Sequence, residues 1–146
     1  LYFGKVPVMN GYLGLDIGDK RIGIAHSASG VLAQGVETYE RKSIAADTAY
    51  ISSLAKRLGA DIIVSGLPRH LNGEAHQQAA KNEILLEAIR EVGFTVEYWD
   101  ERFSSAAAER VMLEADLSRK KRKQNIDKLA AVIILQNYLD HKMKGD

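Results

Sequence analysis

The segment Asp61-Ile62-Ile63-Val64-Ser65-Gly66-Leu67 is apolar without alternation and stops at Pro68, the pattern of a strand covered on both faces rather than one. Such a strand requires a sheet with helices packed on either side, and the neighbouring sequence offers them. Between Ser43 and Leu58, the residues Ile44, Ile51, Leu54, Ala55 and Leu58 recur at helical spacing, with Ser43 as N-cap and Gly59 just past the end. From His76 to Val92 the period returns through Ala80, Ile84, Ala88 and Val92, and Gly93 separates it from a strand over Thr95–Asp100.

Ahead of this alternation, Tyr12–Ile17 and Arg21–Ala25 read as two strands joined by the tight turn Gly18-Asp19-Lys20, and a third follows at Val31–Glu37 after the Ser27–Gly30 turn. Behind it, Ser104 or Ser105 can cap a helix through Val111, Met112 and Ala115. Asp116–Asn125 is polar and basic and reads as a loop. A last helix is expected from near Ile126 to near Lys142, with Leu129, Val132, Ile133 and Leu139 on its buried side. Hairpins first and right-handed βαβ units later give an α/β fold: a mixed five-stranded sheet, three antiparallel strands then two parallel βα units, with helices on both faces.

With 146 residues, 46% of them apolar, the chain has material for one core. Leu1-Tyr2-Phe3-Gly4 resembles the remnant of a cleaved expression tag, so residues 1–8 are set aside and 9–146 are read as a single domain. Cysteine is absent, which removes disulfides, thiolate zinc sites and a cysteine nucleophile together. No apolar run reaches the roughly 18 residues of a membrane span and no export leader opens the chain, so a cytoplasmic protein without a membrane partner is expected. The net charge of +1 gives no general attraction to nucleic acid, but Arg119-Lys120-Lys121-Arg122-Lys123 concentrates positive charge locally.

Asp16 lies in the middle of the first strand, between Leu15 and Ile17, and points to the opposite face from both. A carboxylate buried there without a partner costs several kcal/mol, so it is expected to bind a cation, pair with a base such as Lys20 or Arg21, or join a network. Further acids stand where the fold could bring them to it: Asp100-Glu101 at the end of the last strand and Asp127 near the start of the last helix. Singly, Asp127 suits a helix N-terminus and Glu101 an ion pair with Arg102. Together they form an oxygen site suited to Mg²⁺ or Mn²⁺, and paired ions there would hydrolyse a phosphodiester without a protein nucleophile. Lys20, Arg21, Arg102 and the basic run from Arg119 to Lys123 are the candidate phosphate contacts. The four histidines, His26, His70, His76 and His141, have no helical ligand spacing, so no zinc site is expected.

Gly14-Leu15-Asp16-Ile17-Gly18-Asp19-Lys20-Arg21-Ile22-Gly23 closely resembles the opening motif of the YqgF/RuvX family. Three more blocks agree in order and spacing: Gly66-Leu67-Pro68 with Asn72-Gly73, then Asp100-Glu101-Arg102-Phe103-Ser104-Ser105, then Leu117 to Lys123 running into Asp127-Lys128-Leu129-Ala130-Ala131. The resemblance implies a ribonuclease-H-like fold and a nuclease, described both as a maturation enzyme for the 5′ end of precursor 16S ribosomal RNA and as a Holliday-junction resolvase. It assigns the catalytic and metal-binding acids to Asp16, Glu101 and Asp127, with Asp100 as the alternative to its neighbour. Structured RNA is then the expected partner, with branched DNA as the other candidate, ribosome-assembly factors as further ones, and a monomer or weak homodimer as the assembly. Ala130 stands where related junction resolvases carry one more carboxylate. A different class of reading, a non-catalytic nucleic-acid-binding module with structural acids, is separated from the enzyme by metal dependence.

Overall fold

The computed structural model describes residues 11–67, 73–100 and 119–145. The tag-like segment, His70, Glu101, Arg102, Ser104, Ser105 and the helix expected through Val111–Ala115 lie outside these residues. The order is β1 (Gly11–Ile17), β2 (Arg21–Ser27), β3 (Gln34–Glu40), α1 (Ile44–Leu58), β4 (Ala60–Leu67), α2 (Gly73–Val92), β5 (Thr95–Asp100) and α3 (Arg119–Gly145). The five strands form one sheet in the order β3-β2-β1-β4-β5. β1, β2 and β3 pair antiparallel, while β4 pairs parallel to β1 and β5 parallel to β4.

Strand alternation divides the core in two. Leu13, Leu15 and Ile17 of β1 pack with Ile22, Ile24 and Ile63 under Ile51, Leu54, Leu85, Leu86 and Ile89 of α1 and α2. Tyr12, Ala25, Val64 and Trp99 face the other way, onto Ala131, Ile134, Leu135, Tyr138 and Leu139 of α3. β4 thus supplies Ile63 to one face and Val64 to the other, as its unbroken apolar run requires. Gly14 lets α3 approach closely, because a Cβ there would sit 2.8 Å from the Leu135 Cβ. α1 is delimited as expected: the Ser43 hydroxyl accepts from the Ala46 amide at 3.1 Å, and Gly59, at φ 75°, turns the chain out. No helix among the described residues is long and apolar enough to cross a membrane.

Four expectations need correction. The third strand runs from Gln34 to Glu40 rather than from Val31 to Glu37, because side chains take the polar groups of the preceding loop: Ser27 Oγ accepts from Gly30 N, Ser29 Oγ accepts from Val31 N and Leu32 N, and Gln136 of α3 takes Ala33 N and the Val31 carbonyl. α2 begins at Gly73, a turn early, and buries Leu85, Leu86 and Ile89 while Ile84 and Val92 are exposed; both stripes have helical period, and the bulkier one wins the core. In α3 Leu139 is buried as expected, but its buried companions are Ala131, Ile134, Leu135 and Tyr138, while Leu129, Val132 and Ile133 are only partly covered. Finally, the backbone from Arg119 to Asn125 is helical, not a loop. Lys, Arg and Gln are strong helix formers, and a helix solvates a charge run as well as a coil does.

Candidate active site

Asp16 is the penultimate residue of β1 and lies on the face covered by α3. Its antiparallel partner is Gly23 of β2, and Gly23 explains how Asp127 arrives: a Cβ at Gly23 would overlap the Asp127 carbonyl oxygen. The backbone of α3 therefore rests directly on the strand beside Asp16, a close approach that only glycine allows. One residue on, the side chain of Lys128 covers Gly35 of β3, which secures the same crossing on the next strand. In the sequence Gly23 stands only as the last residue of the opening family motif, and a glycine inside a strand pattern is the signal for such an approach.

Arg21, the first residue of β2, donates from Nε to Asp127 Oδ2 at 2.9 Å. The pair is partly open to solvent, with the two side chains 50% and 28% exposed, so it orients Asp127 more than it stabilises the fold. Burial, and then the negative charge of Asp127, push the Asp16 carboxyl up to about 6. Two carboxylates from elements more than 100 positions apart thus share one corner, and among the described residues Arg21 compensates one of them. This is the electrostatic condition that a bound cation relieves. Asp127 is also not the first-turn acid that a helix starting near Ile126 would make it, since α3 extends about two turns further back, to Arg119.

The strand ends nearby are those of β4 and β5, which run parallel to β1, so Asp16, Leu67 and Asp100 all lie at carboxyl ends along one edge of the sheet. Open α/β sheets bind ligands at that edge. In β5, Glu97 meets the Tyr138 hydroxyl of α3 and Trp99 packs on α3, whereas Tyr98 bonds Glu83 and Arg90 of α2. Asp100, the last residue of β5, has the parity of Tyr98 rather than of Trp99. Among the described residues no three potential ligands converge on one point, and the third expected acid, Glu101, lies outside them. Lys20 is exposed at the tip of the β1–β2 turn. The helical backbone carries Arg119 to Lys123 at the end of α3 that leads into Asp127.

Residues 10–141 match the family described as "RuvX: Holliday junction resolvase". A relative from Clostridioides difficile (strain 630) is 50% identical over 135 residues, 91% of this chain and 96% of its own length. One from Syntrophomonas wolfei is 48% identical over 130 residues, 88% of this chain and 92% of its own. Both bear the name "Putative pre-16S rRNA nuclease". Among solved structures, T. thermophilus RuvC in complex with a Holliday junction substrate aligns with a TM-score of 0.62 at 16% identity, covering 92% of this chain and 96% of that one. The fowlpox virus Holliday junction resolvase aligns at 0.52 and 12%, covering 89% and 97%. At such identities the likeness is one of fold, and it agrees with the ribonuclease-H-like sheet expected from the sequence. The match over nearly the whole chain, together with relatives about half identical to it, establishes that this chain belongs to the RuvX family.

Proposed function

We propose that this protein is a nuclease that hydrolyses phosphodiester bonds of nucleic acid, acting on the 5′ end of precursor 16S ribosomal RNA, with Asp16, Glu101 and Asp127 holding Mg²⁺ or Mn²⁺. The observation that carries the reading is the meeting of Asp16 and Asp127 at the carboxyl edge of the sheet, where burial and mutual repulsion raise the Asp16 carboxyl. Glu101 is preferred to Asp100 because strand alternation gives Asp100 the parity of Tyr98, which bonds α2. The names of the half-identical relatives supply the RNA substrate.

Nucleases of this fold generally use divalent metal ions, which when bound would supply an activated water and neutralise charge on the leaving oxygen. The chain's own contribution is placement. β1 holds Asp16 rigidly in the sheet, Gly23 admits the α3 backbone, and Arg21 turns Asp127 toward the same corner. Lys20, Arg21, Arg102 and the basic stretch Arg119 to Lys123 would draw and hold the phosphate backbone. The reaction is confined to the cytoplasm in this reading, and ribosome-assembly factors are candidate partners of a monomer or weak homodimer.

The second reading is cleavage of four-way DNA junctions, favoured by the description of the matching family. Metal hydrolysis requires no particular sugar, so shape recognition must decide between them. Purified protein with Mn²⁺ should be offered precursor 16S RNA, unstructured single-stranded RNA and junction DNA in parallel. Cleavage of the precursor at its 5′ end, with junctions untouched, is the expected result; preferential cutting of junctions would transfer the assignment to the second reading.

A further inference from the structure

The β1–β2 turn joins Asp16 to Arg21, so whatever fixes the turn fixes both the half-buried acid and the guanidinium that orients Asp127. Its internal closure is one bond, from Gly18 N to the Arg21 carbonyl at 2.9 Å. A second grip comes from the end of β3. Arg41 N donates to the Lys20 carbonyl at 2.8 Å, and Arg41 Nη1 donates to the Gly18 carbonyl at 3.0 Å. The same guanidinium donates from Nε to Asp47 Oδ2 at 2.9 Å.

Asp47 is itself fixed. It is 1% exposed, and its Oδ1 accepts from the Tyr39 hydroxyl and the Lys42 amide, each at 2.9 Å. Arg41 is only 14% exposed. Replacing a buried ion pair with apolar residues of similar volume is often neutral or stabilising, so stability alone does not call for a guanidinium here. An apolar side chain could not donate to the Gly18 carbonyl while being held from behind. Lysine would bring one flexible ammonium in place of the rigid fork whose Nε and Nη1 meet Asp47 and Gly18 separately.

Resting on the reading of Asp16 and Asp127 as metal ligands, we propose that Arg41, anchored by Asp47, is a positioning residue of the active site: it clamps the β1–β2 turn from the α1 side and so sets the separation of Asp16 and Arg21. Outer residues that orient ligands in this way typically alter metal affinity or activity by 10- to 100-fold when lost. The contribution acts on the metal-bound step and leaves the binding of nucleic acid to surface cations unchanged.

The test compares wild type, Arg41→Lys and Tyr39→Phe, the last removing one bond to Asp47 while leaving Arg41 intact. Mn²⁺ binding is measured by calorimetry without nucleic acid, amide exchange at Gly18 by NMR, and kcat and KM on the cleaved substrate. Arg41→Lys should keep cooperative unfolding, exchange Gly18 at least about 10-fold faster, bind Mn²⁺ about 10- to 100-fold more weakly and lose kcat at unchanged KM. Tyr39→Phe should move each value the same way but less, and it decides the matter if Arg41→Lys does not fold. A folded Arg41→Lys protein with wild-type Mn²⁺ affinity and wild-type Gly18 exchange would overturn the clamp. If wild type itself binds no Mn²⁺, the metal reading fails, and Gly18 exchange alone then decides whether Arg41 holds the turn.

Discussion

Asp16 is half-buried and Asp47 fully buried, and their surroundings treat them oppositely. Burial and the charge of Asp127 raise the Asp16 carboxyl to about 6, against 3.8 for the free side chain. The folded chain therefore keeps this proton longer than the unfolded chain does, and stability falls as pH rises through that interval. In the absence of divalent ions, Asp16→Asn should stabilise the protein at neutral pH by on the order of 2 kcal/mol, and the gain should vanish below pH 3.8. Urea unfolding of both proteins across this range measures it. For Asp47, burial acts to raise the carboxyl but is outweighed by the Lys42 amide, Arg41 and Tyr39, so it titrates below the usual aspartate range. Its stabilising contribution is complete above the ordinary aspartate value and is lost as pH falls through the lowered one. Asp47→Asn should cost roughly 3 kcal/mol at neutral pH by leaving the Arg41 guanidinium without its counter-charge. The deficit should shrink in acid, as equilibrium unfolding at successive pH values would reveal. Asp16 could be singled out from its apolar neighbours alone. Asp47 could not, because an aspartate in the first turn of a helix is ordinary, and only the fold shows that it faces inward.

At the scale of elements, the position of α3 is what makes two distant carboxylates neighbours. Gly23, Gly14 and Gly35 lie along its path, and the tightest approach is the Asp127 carbonyl over Gly23. Gly23→Ala should displace the helix at Asp127 and destabilise the protein by on the order of 3 kcal/mol. It should also lower the Asp16 carboxyl, since retreat of Asp127 removes part of the repulsion; thermal unfolding and carboxyl titration by NMR separate the two effects. Strand periodicity made the sheet legible: β1, β2, β4 and β5 lie within a residue or two of their expected bounds, because apolar alternation and glycine turns are local signals. Helix phase was less so. In α2 the choice between Ile84 with Val92 and Leu85-Leu86 with Ile89 depends on which stripe meets β1 and β4, which no local pattern encodes. The extent of α3 is not legible in the sequence because a run of cations suits solvated coil and solvated helix equally well.

For the whole molecule, a sheet covered on both faces leaves its carboxyl edge as the place where β1, β4, β5 and the approach of α3 come together. The net charge is only +1, so attraction for nucleic acid falls to the local run from Arg119 to Lys123. Replacing Lys120, Lys121 and Arg122 with glutamine should weaken binding across substrates and flatten the dependence of log affinity on log salt by about 0.7–0.9 for each phosphate no longer neutralised. Fluorescence anisotropy at several salt concentrations gives that slope, and an unchanged slope would remove these residues from the interface. The family motifs marked out Asp16, Glu101 and Asp127 in the sequence, but the reason Asp127 can reach Asp16 is tertiary: a strand glycine under a helix backbone. The most direct measurement is Mn²⁺-dependent cleavage of precursor 16S RNA by wild type, Asp16→Asn and Asp127→Asn, all purified to the same standard and checked for folding. If the two aspartates hold the metal, wild type alone cleaves, with both variants folded and still binding RNA; undiminished cleavage by Asp16→Asn would contradict that role.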